Sequence, residues 1–174
     1  MIGYKNVALK PIEEEHVSLL VKWGNAKGLV RNRFSKRKTC TTEQKEIVNS
    51  SGENKDFYSF VIVHSSSPKG LCEIYDLDWV NRSCKVNLYF EDRAESVPEC
   101  GDSAILAVLW FTYDTLGMNK VSSDVLSDDV VMSGLYKKHN FKSEVRKRQH
   151  SFSKGQYKTV IEMGLLKEEF EGLV

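Results

Sequence analysis

The spacing of hydrophobic and polar residues predicts one strand and two helices in the first third of the chain. The segment NVALKPI alternates between the two classes, as a half-buried strand does, and EEEHVSLLVKWGN then repeats its apolar residues at helical spacing. KGLVRNRFSKRKT shows neither period and predicts a loop. TTEQKEIVNSSG predicts a short helix that begins at a threonine cap and ends before a glycine.

Three strands are predicted in the middle of the chain. FYSFVIVHS and GLCEIYDLDWV are rich in β-branched and aromatic residues, and the turn SSPKG between them predicts a hairpin. CKVNLYFED alternates in the same way and predicts a third strand.

A long apolar helix is predicted after the third strand. RAESVPECGD predicts a loop, and the helix is expected from about Ser103 to Leu116, with Gly117 at its C-terminal cap. KVSSDVL then predicts a strand. The first turn of a helix has backbone N–H groups without internal partners, so the start of this helix is either capped by the protein or open to an anion.

The last third of the chain predicts one more helix and a hairpin. SDDVVMSGLYKKHN is expected to be helical, with Ser127 or Asp128 as its cap and with Asn140, a residue type that tolerates the left-handed conformation, at its end. The two strands of the final hairpin are predicted to be FKSEVRKRQHSF and QYKTVIEMGLL.

Length and composition indicate a single globular domain. The 174 residues are 41% hydrophobic and 28% charged, so we expect one domain, residues 1–174, of the α+β class, with a mixed sheet and helices. No apolar run approaches roughly 20 residues, and MIGYKNVALK lacks the apolar core of a signal peptide, so we expect a cytoplasmic protein without a membrane partner. The four cysteines lack CxxC spacing, which predicts reduced thiols and no metal site.

The net charge of +1 conceals two basic segments. Lys22 to Lys38 carries five Lys and Arg residues between its two ends and no acid, and Lys137 to Lys158 is basic around Arg146, Lys147 and Arg148. Such segments steer phosphorylated ligands or nucleic acid, or they are solvated loops and exposed strand faces. Contact with RNA therefore stays open as a third hypothesis, behind the two given below.

Two segments resemble the GCN5-related N-acetyltransferase superfamily, in the branch of ribosomal-protein and amino-sugar acetyltransferases. VALKPIEEEHVSLLVKWGN is similar to the start of that branch, and LGMNKVSSDVLSDDVVMSGLYKKHNF is similar to its segment with an LYxKxGF pattern. The resemblance covers nearly the whole chain. It implies a mixed, mostly antiparallel sheet of six or seven strands, splayed in the middle and flanked by about four helices.

In that family, the loop before the long helix carries R/Q-x-x-G-x-G/A, whose backbone N–H groups bind the diphosphate of coenzyme A. Here the aligned loop is degenerate. Ser96 stands where the family has Arg or Gln, Glu99 replaces the first glycine, and only Gly101 matches the pattern. The resemblance still implies diphosphate contacts from this loop and the helix start, whereas a self-capped helix would bind no anion. The implied contacts are Glu99, Cys100, Gly101, Asp102 and Ser103.

The third predicted strand is the second part of the implied site. In the family its backbone binds the pantetheine arm of acetyl-CoA, which points to Leu88, Tyr89 and Phe90. Lys85 stands where the family often has a glutamate that serves as the base. Glu73, on the preceding strand, is the candidate base that remains, unless its side chain faces solvent.

Asp129 and Tyr136 complete the implied site. Asp129 occupies the place of the family's asparagine and is either a cofactor contact or simply a helix cap. Tyr136 matches the LYxKxGF tyrosine, whose hydroxyl gives a proton to the departing thiolate in the family. A core tyrosine with a satisfied hydroxyl is the structural alternative.

The sequence thus predicts an N-acetyltransferase that moves an acetyl group from acetyl-CoA to a primary amine by direct attack. The acceptors considered are a protein N-terminus, an amino sugar and a small polyamine-like amine, and the WGN start favours the first two. A catalytically silent binding or assembly module of the same fold is the alternative. We expect a monomer or a homodimer without a metal and without a nucleic-acid partner.

Overall fold

The computed structural model describes residues 2–25, 57–153 and 155–172. The predicted loop KGLVRNRFSKRKT, the helix TTEQKEIVNSSG and most of the first basic segment lie outside the described residues. The strands are β1 Ile2–Tyr4, β2 Val7–Pro11, β3 Tyr58–His64, β4 Ser67–Asp78, β5 Ser83–Phe90, β6 Lys120–Leu126, β7 Lys142–Ser153 and β8 Gln156–Leu166.

The described helices alternate with these strands as the sequence predicts, with differences at their starts. They are a 3₁₀ turn at Glu14–His16, α1 Val17–Asn25, α2 Arg93–Ser96, a π-helical turn at Val97–Gly101, α3 Asp102–Trp110, a second π-helical turn at Phe111–Thr115, α4 Val130–Lys138 and α5 Lys167–Glu171. Gly117 and Asn140 have positive φ angles of 67° and 62° at the predicted helix ends. None of the described helices has the length and apolarity needed to cross a membrane.

The described strands form one mixed sheet in the order β1-β2-β3-β4-β5-β6-β8-β7. Only β5 and β6 pair in parallel among them, so the α+β class and the mostly antiparallel sheet are confirmed. The sheet has eight strands instead of the expected six or seven, because Ile2–Tyr4 pairs with β2. Three residues are too few to show an alternating pattern, which is why the sequence does not indicate this strand.

Two turn and cap predictions are corrected. The β3–β4 hairpin turns at Ser65 and Ser66, whose φ angles of 48° and 68° suit the primed two-residue turn, so most of the predicted turn SSPKG lies in β4. The cap of α4 is Asp129, whose Oδ1 accepts the Met132 N–H at 3.2 Å, and not Ser127 or Asp128.

Helices cover both faces of the sheet. On one face, α3 and α4 pack through residues such as Ile105, Val108 and Leu135 against β2 to β6. On the other, Leu20 and Trp23 of α1 pack against side chains of β3 to β5. Burial of these apolar side chains supplies about 1.5–3 kcal/mol each and holds the strands in place.

The sheet is splayed between β5 and β6. Their pairing runs from Ser83↔Lys120 to Lys85↔Ser122 and ends there, although β5 continues to Phe90. Beyond this point β5 stays paired with β4, and β6 stays paired with β8 along its whole length. β5 is therefore held by β4 and β6 by β8, and the two middle strands diverge from each other.

Candidate active site

The parted strands enclose a cleft of about 210 Å³. Its walls come from the ends of β4, β5 and β6, from the starts of α2 and α4, and from β7 and β8. Polar and apolar side chains both line it, including Tyr75, Asn87, Leu88, Tyr89, Arg93, Ser123, Asp124, Asp129, Met132, Tyr136, His150 and Ser151. A concave cleft in which polar groups converge beside apolar ones is typical of a small-molecule site.

The helical segment starts at Arg93, so the predicted loop 93–102 is wrong. Within this segment the regular helix α3 begins at Asp102, one residue before the predicted start at Ser103. The N-cap is Asp92, whose Oδ1 accepts the N–H groups of Ala94 and Glu95 at 2.9 and 3.2 Å. The Ser96 N–H bonds the Asp92 carbonyl at 2.8 Å. This helix start is therefore capped by the protein, which was the alternative to an open anion site.

A wide helical turn at Val97–Gly101 follows, where an open loop is expected. Pro98 has no N–H to give to the carbonyl four residues earlier, and its ring would clash with that carbonyl in a regular α-helix. A π-helical turn accommodates it, and the Cys100 thiol bonds the Ser96 carbonyl, with Sγ to O at 3.1 Å. The amides of residues 97–103 thus lie inside one helical segment.

Glu99 points away from the cleft, toward the β3–β4 hairpin. Its carboxylate lies 2.8 Å from Lys69 Nζ and 3.4 Å from His64 Nδ1. The hydrogen bond with Lys69 lowers the pKa of Glu99, which keeps it ionised. Its charge is therefore neutralised locally, and the role of Glu99 seen in the structure is to fasten the helix to the hairpin.

Cys100 and Gly101 are buried between helices. Burial raises the pKa of the Cys100 thiol to about 11, so this cysteine is protonated at neutral pH. A Cβ at Gly101 would lie 3.1 Å from Val97 Cγ1 and 3.4 Å from two methyl carbons of Leu135. The glycine that matches the family pattern is explained here by close packing of the long helix on α4.

Asp102 joins the start of α3 to the end of α4 and leaves Ser103 half-buried beside it. It pairs with Lys138, and its Oδ1 lies 2.9 Å from Nε2 of His139. Burial acts to raise the pKa of Asp102, but the bonds to Lys138 and His139 outweigh it, so the pKa is lowered. The structure therefore gives Asp102 a packing role.

Arg93 and Asp129 form an ion pair in the wall of the cleft. The Arg93 guanidinium forms an ion pair with Asp129, which also caps α4. Both side chains line the cleft, and Arg93 is one-third exposed. A partly exposed guanidinium in the wall of a cleft can bind a phosphate group.

Tyr136 reaches the gap between the strands from α4. It is 1% exposed, and its hydroxyl bonds the side chain of Ser123 and the backbone of Leu88. Burial raises the pKa of Tyr136 well above its usual value, and these two bonds offset part of the rise. The hydroxyl is thus protonated and satisfied, and it also lies at a wall of the cleft.

The three predicted strand residues divide between the cleft and the core. Leu88 and Tyr89 line the cleft, whereas Phe90 is packed in the core under α3. All three are buried and lie beyond the last residue of β5 that pairs with β6.

Glu73 is 2% exposed, so the expectation that it faces solvent is wrong. It stands opposite Asn87 in the β4–β5 register, and its charge raises the pKa of Tyr75 and Tyr89 further after burial has raised it. Glu73 itself is not among the described residues that line the cleft.

The sequence did not indicate most of the side chains that line the cleft, among them the polar residues Arg93, Asn87, Ser123 and Asp124. Ser122, Ser123 and Asp124 are three consecutive polar residues in the strand KVSSDVL, and such a run in a strand was an available signal. Asp124 carries a network of its own: Lys85 and Lys147 lie 3.2 and 2.8 Å from its oxygens, and both also pair with Glu162.

No family model and no curated protein matches this chain. Among solved structures, the spermidine N-acetyltransferase of Vibrio cholerae in complex with CoA and spermine is similar, with 17% identity, a TM-score of 0.87, and coverage of 95% of this chain and 98% of that one. A dodecameric structure of the same enzyme gives 17% identity, a TM-score of 0.83 and coverage of 95% and 96%.

A chimera of the Vibrio cholerae enzyme gives 16% identity, a TM-score of 0.85, and coverage of 96% of this chain and 99% of that one. At this identity the similarity establishes the fold alone. The chain has the fold of the GCN5-related N-acetyltransferases.

Proposed function

We propose that this protein is an acetyl-CoA-dependent N-acetyltransferase. The observation that carries the proposal is the parting of β5 and β6 beyond Lys85↔Ser122, with the Tyr136 hydroxyl at the wall of the resulting cleft. Strand edges that face a gap offer backbone groups to an extended ligand, as in other cases of recognition along a strand. Solved structures of the same fold include an acetyltransferase with bound CoA.

The cleft suits the thioester end of acetyl-CoA. Leu88 and Tyr89 would offer backbone groups to the pantetheine arm, and Met132 would pack against it. The diphosphate does not find open amides, because Asp92 caps the helix start. We propose that Arg93 takes the place of the lost glycine loop and holds the diphosphate at the cleft wall by a charge-assisted pair.

We propose indirect roles in cofactor binding for most of the other predicted contacts. Glu99, Cys100, Gly101 and Asp102 would shape the diphosphate side through helix packing, and Ser103 through its hydroxyl. Asp129 would orient Arg93, and Phe90 would support the strand behind the pantetheine arm.

In the proposed reaction, Tyr136 donates one proton to the leaving group and afterwards regains one, so that it ends unchanged. The neutral amine attacks the thioester carbonyl carbon, a C–N bond forms, and the C–S bond breaks with its electron pair on sulfur. Tyr136 gives its proton to that thiolate and regains one from the acceptor nitrogen through solvent. The products are an N-acetylated amine and free CoA.

Deprotonation of the acceptor ammonium needs a base, and we propose Glu73. Its side chain is buried behind the tyrosines of β4 and β5, so it would act through a water molecule. For the acceptor we propose a primary amine. The solved structures of the same fold are named for spermidine, which favours the polyamine among the three acceptors considered, although the WGN start favours the protein N-terminus and the amino sugar.

The test is release of free thiol from acetyl-CoA in the presence of each amine class, measured with a thiol reagent. Spermidine, a nucleotide-linked amino sugar and a short peptide with a free N-terminus make the panel. Acceptor-dependent thiol release with a product heavier by one acetyl group supports the proposal. Absence of turnover with all three, together with absence of binding, would remove it.

A catalytically silent binding module is the second candidate, and the Asp92-capped helix favours it. This candidate predicts that acetyl-CoA is not turned over even where it binds. Comparison of binding and turnover on the same preparation separates the two candidates.

A further inference from the structure

A second cavity, of about 420 Å³, lies between α4 and the edge strand β7, and we call it the outer cavity. The helix α4 separates it from the cleft. Met132 and Tyr136, four residues apart on α4, line the cleft, whereas the neighbouring Ser133 and Lys137 line the outer cavity. None of the residues proposed above for acetyl-CoA binding or catalysis is among the described residues that line the outer cavity.

The sheet directs an arginine of β7 toward the outer cavity. Arg146 lies opposite Ile161 of β8, and Ile161 lies opposite Val125 of β6. Directly opposed residues of antiparallel strands carry their side chains on the same face of a sheet. Val125 is buried in the core together with Leu135 of α4. Arg146 therefore lies on the α4 face of the sheet, at the exposed outer end of this row.

The outer cavity carries positive charge that the protein does not neutralise. Lys137 and Arg146 both line it, and neither has an ion-pair partner among the described residues. Most lysines of the second basic segment differ in this respect, since four of them pair with acids. Glu144 also lines the outer cavity, but its carboxylate lies 2.8 Å from Lys120 Nζ. The lining is thus cationic.

Hydroxyl and apolar groups complete the lining. The hydroxyls, which can donate to phosphate oxygens, belong to Ser127, Ser133 and Ser143. Val145 is 49% exposed although it is apolar, and it lines the outer cavity beside Arg146. A bulge in β7 between Ser143 and Val145 accounts for this, because a bulge re-aims consecutive side chains of a strand. Apolar surface from Val145 and Ile161 therefore borders the two cations.

We propose that the outer cavity binds a small phosphate ester with a planar or apolar body, of the nucleoside monophosphate class. Lys137 and Arg146 bind the phosphate from α4 and from β7, and the serine hydroxyls donate to its remaining oxygens. Val145 and Ile161 contact the body of the ligand. The volume is within the range of small-molecule sites. This binding is separate from acetyl transfer and does not depend on it.

The charge distribution favours a small ligand over RNA. Lys138, Lys142 and Lys147 are held in ion pairs, so the free positive charge near the outer cavity does not form the long track that an RNA backbone requires.

The test is calorimetric titration of the whole chain with adenosine monophosphate, with inorganic phosphate and adenosine as separate probes. We expect saturable one-to-one binding of adenosine monophosphate and weaker binding of each separate probe. Lys137→Ala and Arg146→Ala should each lower the affinity about tenfold. Arg148→Ala is the matched control, because it removes the same charge from the same strand at an exposed position that is not among the described lining residues. Its affinity should stay within about twofold of wild type.

Two further variants locate the ligand. Arg93→Ala, which changes the cleft, should bind adenosine monophosphate as the wild type does. Ser143→Glu places an acid in the outer cavity at an exposed position, and it should abolish binding while urea unfolding stays as in wild type.

The outcomes are distinct. Absence of binding at millimolar adenosine monophosphate overturns the inference. Equal losses in Arg148→Ala and Arg146→Ala indicate general charge attraction and overturn it too, and so does a loss in Arg93→Ala, which would place the ligand in the cleft. An RNA oligonucleotide that binds more tightly than adenosine monophosphate, and depends on Arg148 as much as on Arg146, also contradicts it. A wild type that shows the expected pattern but no acetyl transfer supports the outer cavity and contradicts only the proposed function.

Discussion

At the scale of single residues, the position of Tyr136 is compatible with both roles that the sequence left open. Its hydroxyl is satisfied inside the protein, as a core tyrosine requires, and it also borders the cleft between β5 and β6. Contacts in the free protein therefore do not separate a structural tyrosine from a catalytic acid. A matched pair of tyrosine variants does.

Tyr136→Phe should lower kcat for acetyl transfer about 10- to 100-fold, because the leaving thiolate loses its proton donor. The KM for acetyl-CoA should change little. Tyr113→Phe is the control, since the Tyr113 hydroxyl donates to the Leu165 carbonyl at 2.8 Å in the core. The control should lose about 1 kcal/mol of unfolding free energy and keep its kcat. Equal kcat values for the two variants would contradict the role of Tyr136.

Gly101 is the second residue whose inferred role changes with the structure. As the single matching glycine of the family pattern it suggests a close approach to a diphosphate, but it faces Val97 and Leu135 in a helical turn. Gly101→Ala should therefore cost about 1 kcal/mol of unfolding free energy through crowding, measured by urea unfolding. Its Kd for acetyl-CoA should stay within about threefold of wild type. A much weaker affinity would contradict this packing role and would indicate that Gly101 contacts the ligand.

At the scale of elements, the segment from Arg93 to Asp102 shows where sequence patterns fail. Proline, glycine and several charged residues make it look like a loop, and the helix propensity of such a segment is low. Burial of Val97, Cys100 and Gly101 against α4 outweighs that propensity, and a wide turn accommodates the proline. These are tertiary effects, which no local pattern carries. The apolar remainder of the helix, by contrast, was predicted from its composition and ended as expected, just before Gly117.

Variants of Asp92 test whether the start of this helical segment contributes to ligand binding. Asp92→Asn keeps a capping oxygen and removes a negative charge near the proposed diphosphate position, which relieves on the order of 1 kcal/mol of repulsion. We expect acetyl-CoA to bind several-fold more tightly at low salt, with a smaller gain at high salt. Asp92→Ala, which loses the cap, should also lower the unfolding free energy by about 1 kcal/mol. Weaker binding by Asp92→Asn would show that the capped amides are part of the ligand site.

The network around Asp124 ties the parted strands to the C-terminal hairpin and should make stability depend on pH. Burial acts to raise the pKa of Asp124, but its bonds with Lys147 and Lys85 outweigh it and the pKa is lowered below 3.8. A lowered carboxyl pKa stabilises the fold above the ordinary aspartate pKa, and this contribution is lost as the pH falls through the folded value.

Asp124→Asn should therefore lower the unfolding free energy by about 1–2 kcal/mol at pH 7, and the difference from wild type should shrink below about pH 4. Urea unfolding at a series of pH values measures it. Ser127→Ala, an exposed position just beyond the same strand, is the control. A difference that does not depend on pH would mean that packing, and not charge, accounts for the loss.

At the scale of the whole molecule, the order of strands and helices was readable from periodicity, because strands β3 to β8 and the long helix have strong patterns. The splay between β5 and β6 was not, since the residues on both sides of Lys85 alternate in the same way. It came only from the resemblance to a family, and the register of β5 and β6 confirms it. The side chains that the sequence did not indicate come together in the cleft only because β5 and β6 diverge.

Charge distribution across the molecule also differs from its distribution along the chain. The second basic segment contributes lysines to ion pairs with distant acids, at Lys138–Asp102, Lys142–Glu169, Lys147–Asp124 and Lys158–Asp128. Much of its charge is thus neutralised in the fold. This weakens the case for RNA contact, which should show as binding that falls steeply with salt.

The central claim is that the splayed cleft binds acetyl-CoA, and calorimetric titration of the whole chain with acetyl-CoA tests it most directly. We predict a saturable one-to-one heat that free CoA competes away, and an affinity about tenfold lower in Arg93→Ala than in wild type. Lys10→Ala, which removes an exposed cation on β2, should bind as the wild type does. Absence of heat and of any melting shift at millimolar acetyl-CoA would contradict the claim.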